Sequence, residues 1–226
     1  MLHYIFMKLV FISDTHNQHE KFEIPNGDFI IHCGDVSGRG LKSEVESFLN
    51  WFEKLPHKNK IMIPGNHDFL FEEYYDTAKN MVDSRGIICL IDSEVEIDGI
   101  KFWGSPVTPY FHNWAFNRFR GSDIQNHWDK IPDDIDVLIT HGPPAHAKNH
   151  LSMVIEGEDV GCEDLYKVIQ RIKPKVNCFG HIHEGYGTSM EDDTILVNCS
   201  LLNRRYSPVN KPIVLNYENG KFSIDQ

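Results

Sequence analysis

Residues 8–16 read Lys8-Leu9-Val10-Phe11-Ile12-Ser13-Asp14-Thr15-His16, an apolar strand-like run that ends in Asp14 and His16, two side chains that bind metal ions. The same construction recurs four more times. Phe29–Cys33 precedes Asp35, and Lys60–Pro64 precedes Asn66, His67 and Asp68. Val137–Thr140 precedes His141, and Lys175–Phe179 precedes His181 and His183. Parallel strands of an α/β sheet put their carboxyl ends on one edge, and ligands bind at that edge. Five such ends would deliver Asp, Asn and His side chains to one place.

The rest of the chain fits an α/β reading. Leu41, Val45, Phe48, Leu49 and Phe52 lie at helical spacing, which predicts an amphipathic helix over Leu41–Leu55. Glu72–Arg85 reads as a second helix, with Gly86 placed to cap it. Ile87–Ile91 is strand-like, and Asp98-Gly99 sits between alternating apolar residues as a hairpin turn. Asp164–Ile172 reads as a helix that stops before Pro174. Ile195–Cys199 and Pro212–Tyr217 read as strands, and Asn219-Gly220 as a last hairpin turn. Early βα units followed by hairpins suggest two packed mixed sheets flanked by helices. Gly104–Asp123, rich in aromatics, Pro, Asn and Arg, has no clear period; a loop of that length in a compact domain is usually functional.

Bulk properties narrow the function classes. A chain of 226 residues suits one well-buried domain, taken here as 1–226. The net charge of −11 argues against binding of long nucleic acid, which needs a basic surface. It leaves room for a small anionic substrate, because bound cations reverse the local field. Five cysteines without a C-x-x-C pair read as buried reduced thiols in a cytoplasmic protein. Met1–Met7 lacks a basic region and a cleavage site and is too short to span a membrane; Met1–Phe6 reads as a disposable extension before Met7. Nothing in the sequence fixes an oligomeric state.

The donor types then specify chemistry. Asp14 and His16, like His181 and His183, are spaced i, i+2, so on extended backbone both side chains point the same way. Asp, Asn and His without Cys suit Mn²⁺ first, with Fe, Zn, Co or Ni as alternatives. Seven candidate ligands are too many for one ion, whereas two ions about 3.5–4 Å apart sharing a carboxylate accommodate them. Such a pair activates water for in-line attack on a phosphate ester and neutralises the phosphoryl oxygens. His67 is left free to protonate the leaving oxygen.

Asp14-Thr15-His16, Gly34-Asp35, Gly65-Asn66-His67-Asp68, Thr140-His141-Gly142 and Gly180-His181-Ile182-His183 resemble, in order, the five signature blocks of the calcineurin-like metallophosphoesterase superfamily. The resemblance implies a four-layer αββα sandwich with a dinuclear site between loop ends. It implies that Asp14, His16 and His183 hold one ion, that Asn66, His141 and His181 hold the other, and that Asp35 bridges them. It also implies that His67 faces the leaving group, oriented by Asp68. A narrower resemblance lies in Trp103–Pro106, Tyr110-Phe111, Trp114–Asn117 and the run from Asn198 to Pro208. These are similar to the brain-type metallophosphoesterase-domain proteins, grouped with the class III cyclic nucleotide phosphodiesterases. That resemblance implies a nucleotide or cyclic nucleotide ester, with the loop aromatics against the base and Asn113, Arg118 or Arg120 on phosphate.

Two alternatives keep the fold. One is a phosphoesterase of another class: lipid or sugar diphosphates, phosphoproteins or nucleic acid ends. The other is a scaffold like those superfamily members that have lost ligands, a reading disfavoured because all seven ligand positions are filled. Among the remaining histidines, His32 reads as a core residue or a support behind the site, and His146 and His150 as flanking a pocket. His3, His19, His57, His112 and His127 read as surface or loop residues. Asp133-Asp134 and Glu191–Asp193 read as solvated turns.

Overall fold

Alternation within the strands dictates the layers. The computed structural model describes residues 6–225, so His3 and most of the expected N-terminal extension lie outside the described residues. In chain order the first elements are β1 (Phe6–Ile12), β2 (Phe29–Cys33), α1 (Lys42–Lys54) and β3 (Asn59–Ile63). They continue with α2 (Phe69–Glu73), α3 (Tyr75–Asp83), β4 (Ile88–Cys89), β5 (Ser93–Ile97) and β6 (Ile100–Ser105). Next come β7 (Thr108–Pro109), β8 (Asn117–Arg118), α4 (Ser122–Trp128), β9 (Val137–Thr140), α5 (Glu163–Ile172) and β10 (Val176–Phe179). The last are β11 (Gly187–Glu191), β12 (Thr194–Asn198), β13 (Ile213–Glu218) and β14 (Lys221–Ile224).

Two mixed six-stranded sheets result, ordered β14-β13-β1-β2-β3-β4 and β11-β12-β10-β9-β6-β5. The central strands β1 to β4 are parallel, as are β6, β9, β10 and β12, and the hairpins add antiparallel edges. Leu9 and Phe11, Phe29 and Ile31, and Ile61 and Ile63 face inward against Phe102, Val137, Ile139, Val176 and Cys178 of the other sheet. Phe29 and Phe102 meet across this interface with ring centroids 5.4 Å apart. The intervening residues Val10, Ile12, Ile30 and Met62 face outward and bury Val45, Phe48, Leu49 and Phe52 of α1 and Ala78 and Val82 of α3. On the far side Trp103 and Leu138 cover Ile124 and Trp128 of α4 and Leu165, Val168, Ile169 and Ile172 of α5. The fold is therefore a four-layer αββα sandwich. No helix among the described residues is long and apolar enough to cross a membrane.

Three local expectations are revised. The helix expected over Glu72–Arg85 is two helices, α2 and α3, broken at Tyr74, whose φ of −131° and ψ of 51° leave the helical region. The break lets the short α2 bury Leu70 and Phe71 and lets α3 bury Ala78 and Val82 against one core. His19 and His57 are buried. His19 packs its ring against Phe48 and Trp51, and His57 is hydrogen-bonded to the Pro25 carbonyl. The Gly104–Asp123 stretch is ordered around the parallel pair β7–β8. The turns expected at Asp98-Gly99 and Asn219-Gly220 occur, and all four residues have positive φ.

Candidate metal centre

Both sheets contribute to one edge. Asp14 and His16 follow β1, Asp35 follows β2, and Asn66–Asp68 follow β3. His141 follows β9, and His181 and His183 follow β10. Three clusters of potential ligand atoms form there: Asp14, His16 and His183; His16, Asp35 and His67; and Asp35, His141 and His181. Asp35 belongs to two of them, the position of a shared carboxylate. Asn66 joins through Oδ1, 2.8 Å from His141 Nε2. The turns that aim these groups are sharp: Asp14, His16, Asp35 and His181 all have φ between 37° and 66°. Non-glycine residues in this region cost backbone energy and concentrate at functional sites.

Backbone carbonyls set the imidazole tautomers. The Nδ1 atoms of His16, His141, His183 and His67 lie 2.8–3.1 Å from the carbonyls of Ser37, Cys33, Asn203 and Gly38. A carbonyl only accepts, so each Nδ1 carries a proton and each Nε2 is the ring atom left to the site. His16 Nε2 is buried without a hydrogen-bond partner and stands 3.5 Å from Asp35 Oδ2. His183 Nε2 is 3.5 Å from Asp14 Oδ1, and His141 Nε2 is 3.4 Å from Asp35 Oδ1. Asp14 also accepts from Ser200 Oγ at 2.7 Å and from the His181 N–H.

Electrostatics match a cation site. Burial opposes charge on Asp14 and Asp35, but the facing histidines outweigh it and hold both carboxyls below the usual range. Burial likewise opposes protonation of His141, yet Asp35 and Asp14 push it up to about 9. His183, against Asp14, is also pushed up to about 9. At His181 the balance is reversed: burial and the His141 charge outweigh Asp35 and Asp14 and push it down to about 3. These donors, an orphaned Nε2 and paired carboxylates with lowered pKa fit divalent transition ions. Space agrees: a Cβ on Gly65 would stand 2.3 Å from Asp35 Oδ1, and one on Gly180 2.1 Å from Asp14 Oδ2.

Asp68 does not touch the His67 ring, contrary to the expected orienting contact. Its buried carboxylate accepts from the N–H groups of Val36, Ser37 and Gly65 and from Ser37 Oγ, at 2.6–3.2 Å. It thereby fixes the loop whose Gly38 carbonyl holds His67. His32, also fully buried, lies behind the site: it accepts from Gly34 N–H on Nδ1 and meets Thr15 Oγ1 with Nε2.

The expected substrate contacts are placed differently from one another. Arg120 lines a cavity of 490 Å³ with His181, Gly142, Pro109, Tyr110 and Phe111, while its guanidinium donates to the Val160 and Gly161 carbonyls. Arg118 is directed away, to Glu72, His127 and the Asn117 carbonyl. Asn113 is exposed at the loop tip. A larger cavity of 850 Å³ lies beyond His183, lined by Asn203, Arg204, Arg205 and Tyr186. Ser37, Ser200, Asn203 and Gly38 support the site without having been singled out for it; single polar residues in loops carry no sequence signal of such a role. Tyr206, in the run used for the narrower resemblance, packs its ring 5.0 Å from that of His16 and 5.3 Å from that of His183.

A sequence profile of the calcineurin-like phosphoesterase family matches residues 7–185, a span that includes every candidate ligand named above. The chain belongs to this family. Human "Metallophosphoesterase domain-containing protein 1" is 36% identical over 235 residues, covering 93% of this chain and 71% of the relative. A UPF0046 protein of Caenorhabditis elegans is 34% identical, covering 92% and 74%. Among solved structures, phosphopantetheinyl hydrolase from Mycobacterium tuberculosis superposes with a TM-score of 0.62 at 16% identity, covering 88% and 90%, which is a likeness of fold. This calcineurin-like protein is thus a metal-dependent phosphoesterase.

Proposed function

We propose that this phosphoesterase works with two divalent ions, Mn²⁺ foremost, and hydrolyses nucleotide or cyclic-nucleotide phosphate esters. Asp14, His16 and His183 would hold one ion, Asn66, His141 and His181 the other, and Asp35 both. When bound, the ions supply Lewis acidity, lowering the pKa of water and neutralising phosphoryl charge. The protein's own part is to place the donors and deliver a proton. His67 gives its Nε2 proton to the leaving oxygen as the ester P–O bond breaks. The Nδ1–H tautomer that remains is the one the Gly38 carbonyl already satisfies.

The observation that carries the substrate class is the aromatic wall beside His181. Tyr110 and Phe119 stack with centroids 4.8 Å apart and both are exposed, as is Phe111. Exposed aromatic faces of this kind suit a planar base. Arg120 at the same cavity is the favoured phosphate or ribose contact. The five free cysteines, four of them buried, support a cytoplasmic setting.

The test is hydrolysis of a bis-ester, a mono-ester, 2′,3′-cyclic AMP and 3′,5′-cyclic AMP by metal-stripped protein reloaded with Mn²⁺. Turnover of the cyclic nucleotides is expected, and turnover of the generic esters alone would remove the nucleotide reading. Asp35→Ala should lose roughly a hundredfold or more, since even residues that only support a ligand cost about 10–100-fold. Activity that survived both chelation and Asp35→Ala would overturn the two-ion reading.

A further inference from the structure

His67 is tethered through one ring atom, and the torsion that swings a histidine ring about its Cβ is soft. Two rings close the space around it. The His16 ring stands nearly perpendicular to it with centroids 4.6 Å apart, and the indole of Trp114 stacks on its face at 4.2 Å with 28° between planes. Trp114 comes from the long loop, 47 residues downstream, is half-buried, and also lies with its ring centroid 6.0 Å from that of Phe69.

The segment that carries it is fastened at several points. Ala115 N–H donates to the Asn66 carbonyl at 3.1 Å, and Phe116 N–H donates to Glu72 Oε2 at 3.0 Å. Glu72 Oε1 takes Arg118 Nη1 at 3.3 Å, and Arg118 Nε donates to His127 Nε2 at 3.1 Å. His127 Nδ1 then donates to Asp92 Oδ2 at 2.6 Å, and Asp92 also holds Ser105 and Lys130. An arginine N–H at Nε2 requires His127 to carry its proton on Nδ1, so every link in this chain is a donor meeting an acceptor.

We propose that Trp114 is a positioning residue for His67: its indole face fixes the imidazole so that Nε2 points at the leaving oxygen, and the Glu72–Arg118–His127–Asp92 chain sets the height of that face. This rests on the reading of His67 as proton donor. A misplacement of about 1 Å costs on the order of a hundredfold in rate, so a ring tethered at one atom is worth fixing on its face.

The test compares an ester whose leaving group departs without a proton, such as a p-nitrophenyl ester, with an alkyl or nucleoside ester, whose leaving group needs one. Loss of a proton donor falls on the second. His67→Ala should be slow selectively on the alkyl ester. Trp114→Ala should show the same selectivity, roughly tenfold to a hundredfold in kcat with KM little changed. It should add nothing in the His67→Ala background, because the two act as one unit. Trp114→Phe should recover most of the loss. Arg118→Met, which leaves the indole intact, should reproduce the pattern more weakly. Without catalysis, the His67 ring protons in metal-free protein should carry an upfield NMR shift that Trp114→Ala removes. A Trp114→Ala loss equal on both esters, or one that multiplies with His67→Ala, overturns the positioning role while leaving His67 as donor. An equal loss for His67→Ala itself overturns the proton-donor reading and the positioning role together. Should Trp114→Ala fold poorly, the Arg118→Met pattern and the NMR shift decide by the same criteria.

Discussion

Histidines of identical sequence appearance behave oppositely because of what faces each ring. His141 and His183 face the carboxylates of Asp35 and Asp14, and in the metal-free protein both are pushed up to about 9. Their stabilising contribution is complete below the ordinary histidine value of 6.5 and is lost as pH rises through about 9. Metal-free protein should therefore lose stability between those pH values. Metal ions need the neutral imidazole, so loading near pH 7.5 must displace protons from both residues. We expect proton release approaching two per chain, read by calorimetry in buffers of different ionisation enthalpy or by a pH indicator. Release near zero would mean that these histidines are already neutral and that the carboxylate partners do not control them.

At the scale of elements, the site depends on loops that are stapled together. Asp68 accepts four hydrogen bonds from two loops in a fully buried position, where burial and the charge of Asp35 push its carboxyl up to about 6. Asp68→Ala leaves buried N–H groups unpaired, at a cost of about 1–3 kcal/mol each before relaxation. A net destabilisation of about 3 kcal/mol by urea unfolding is expected, together with looser placement of His67 through Gly38. A midpoint unchanged from the parent protein would rule out the staple. The strand ends, their order and the gathering of the seven candidate ligands at one edge were legible in the sequence because apolar runs and donor clusters are local. The break at Tyr74, the burial of His19 and His57, and the fastening of Arg118 were not legible. Each is decided by a partner far away in the chain: the shared core for α2 and α3, α1 for His19, and Glu72 and His127 for Arg118. The same limit applies to Asp68: the family resemblance implies that it orients His67, whereas its hydrogen-bond partners are Val36, Ser37 and Gly65.

For the whole molecule, the division of the ligands between the sheets has an energetic consequence. Asp14, His16, Asp35 and Asn66 follow strands of one sheet, and His141, His181 and His183 follow strands of the other. The sheets otherwise meet through an apolar interface of Leu, Ile, Val, Phe and Cys, which specifies contact but no fixed lateral position at the site edge. Ions held from both sides, as proposed, would link the sheets at the one edge where polar loops replace that interface. Without ions, the cationic partners of buried Asp14 and Asp35 are protonated histidines, which is a pH-dependent arrangement. Ions that bind the folded chain alone stabilise it by about 2.7 kcal/mol when present at a hundred times their dissociation constant. For a protein of this size that is a rise of about 5–10 °C in Tm. Chelation should lower Tm by about that amount, Mn²⁺ should restore it, and Asp35→Asn should remove the response because it disturbs ligation from both sheets at once. A Tm indifferent to chelator and Mn²⁺ in the unmodified protein would show that the sheets are locked without ions and that the site is rigid before it is loaded.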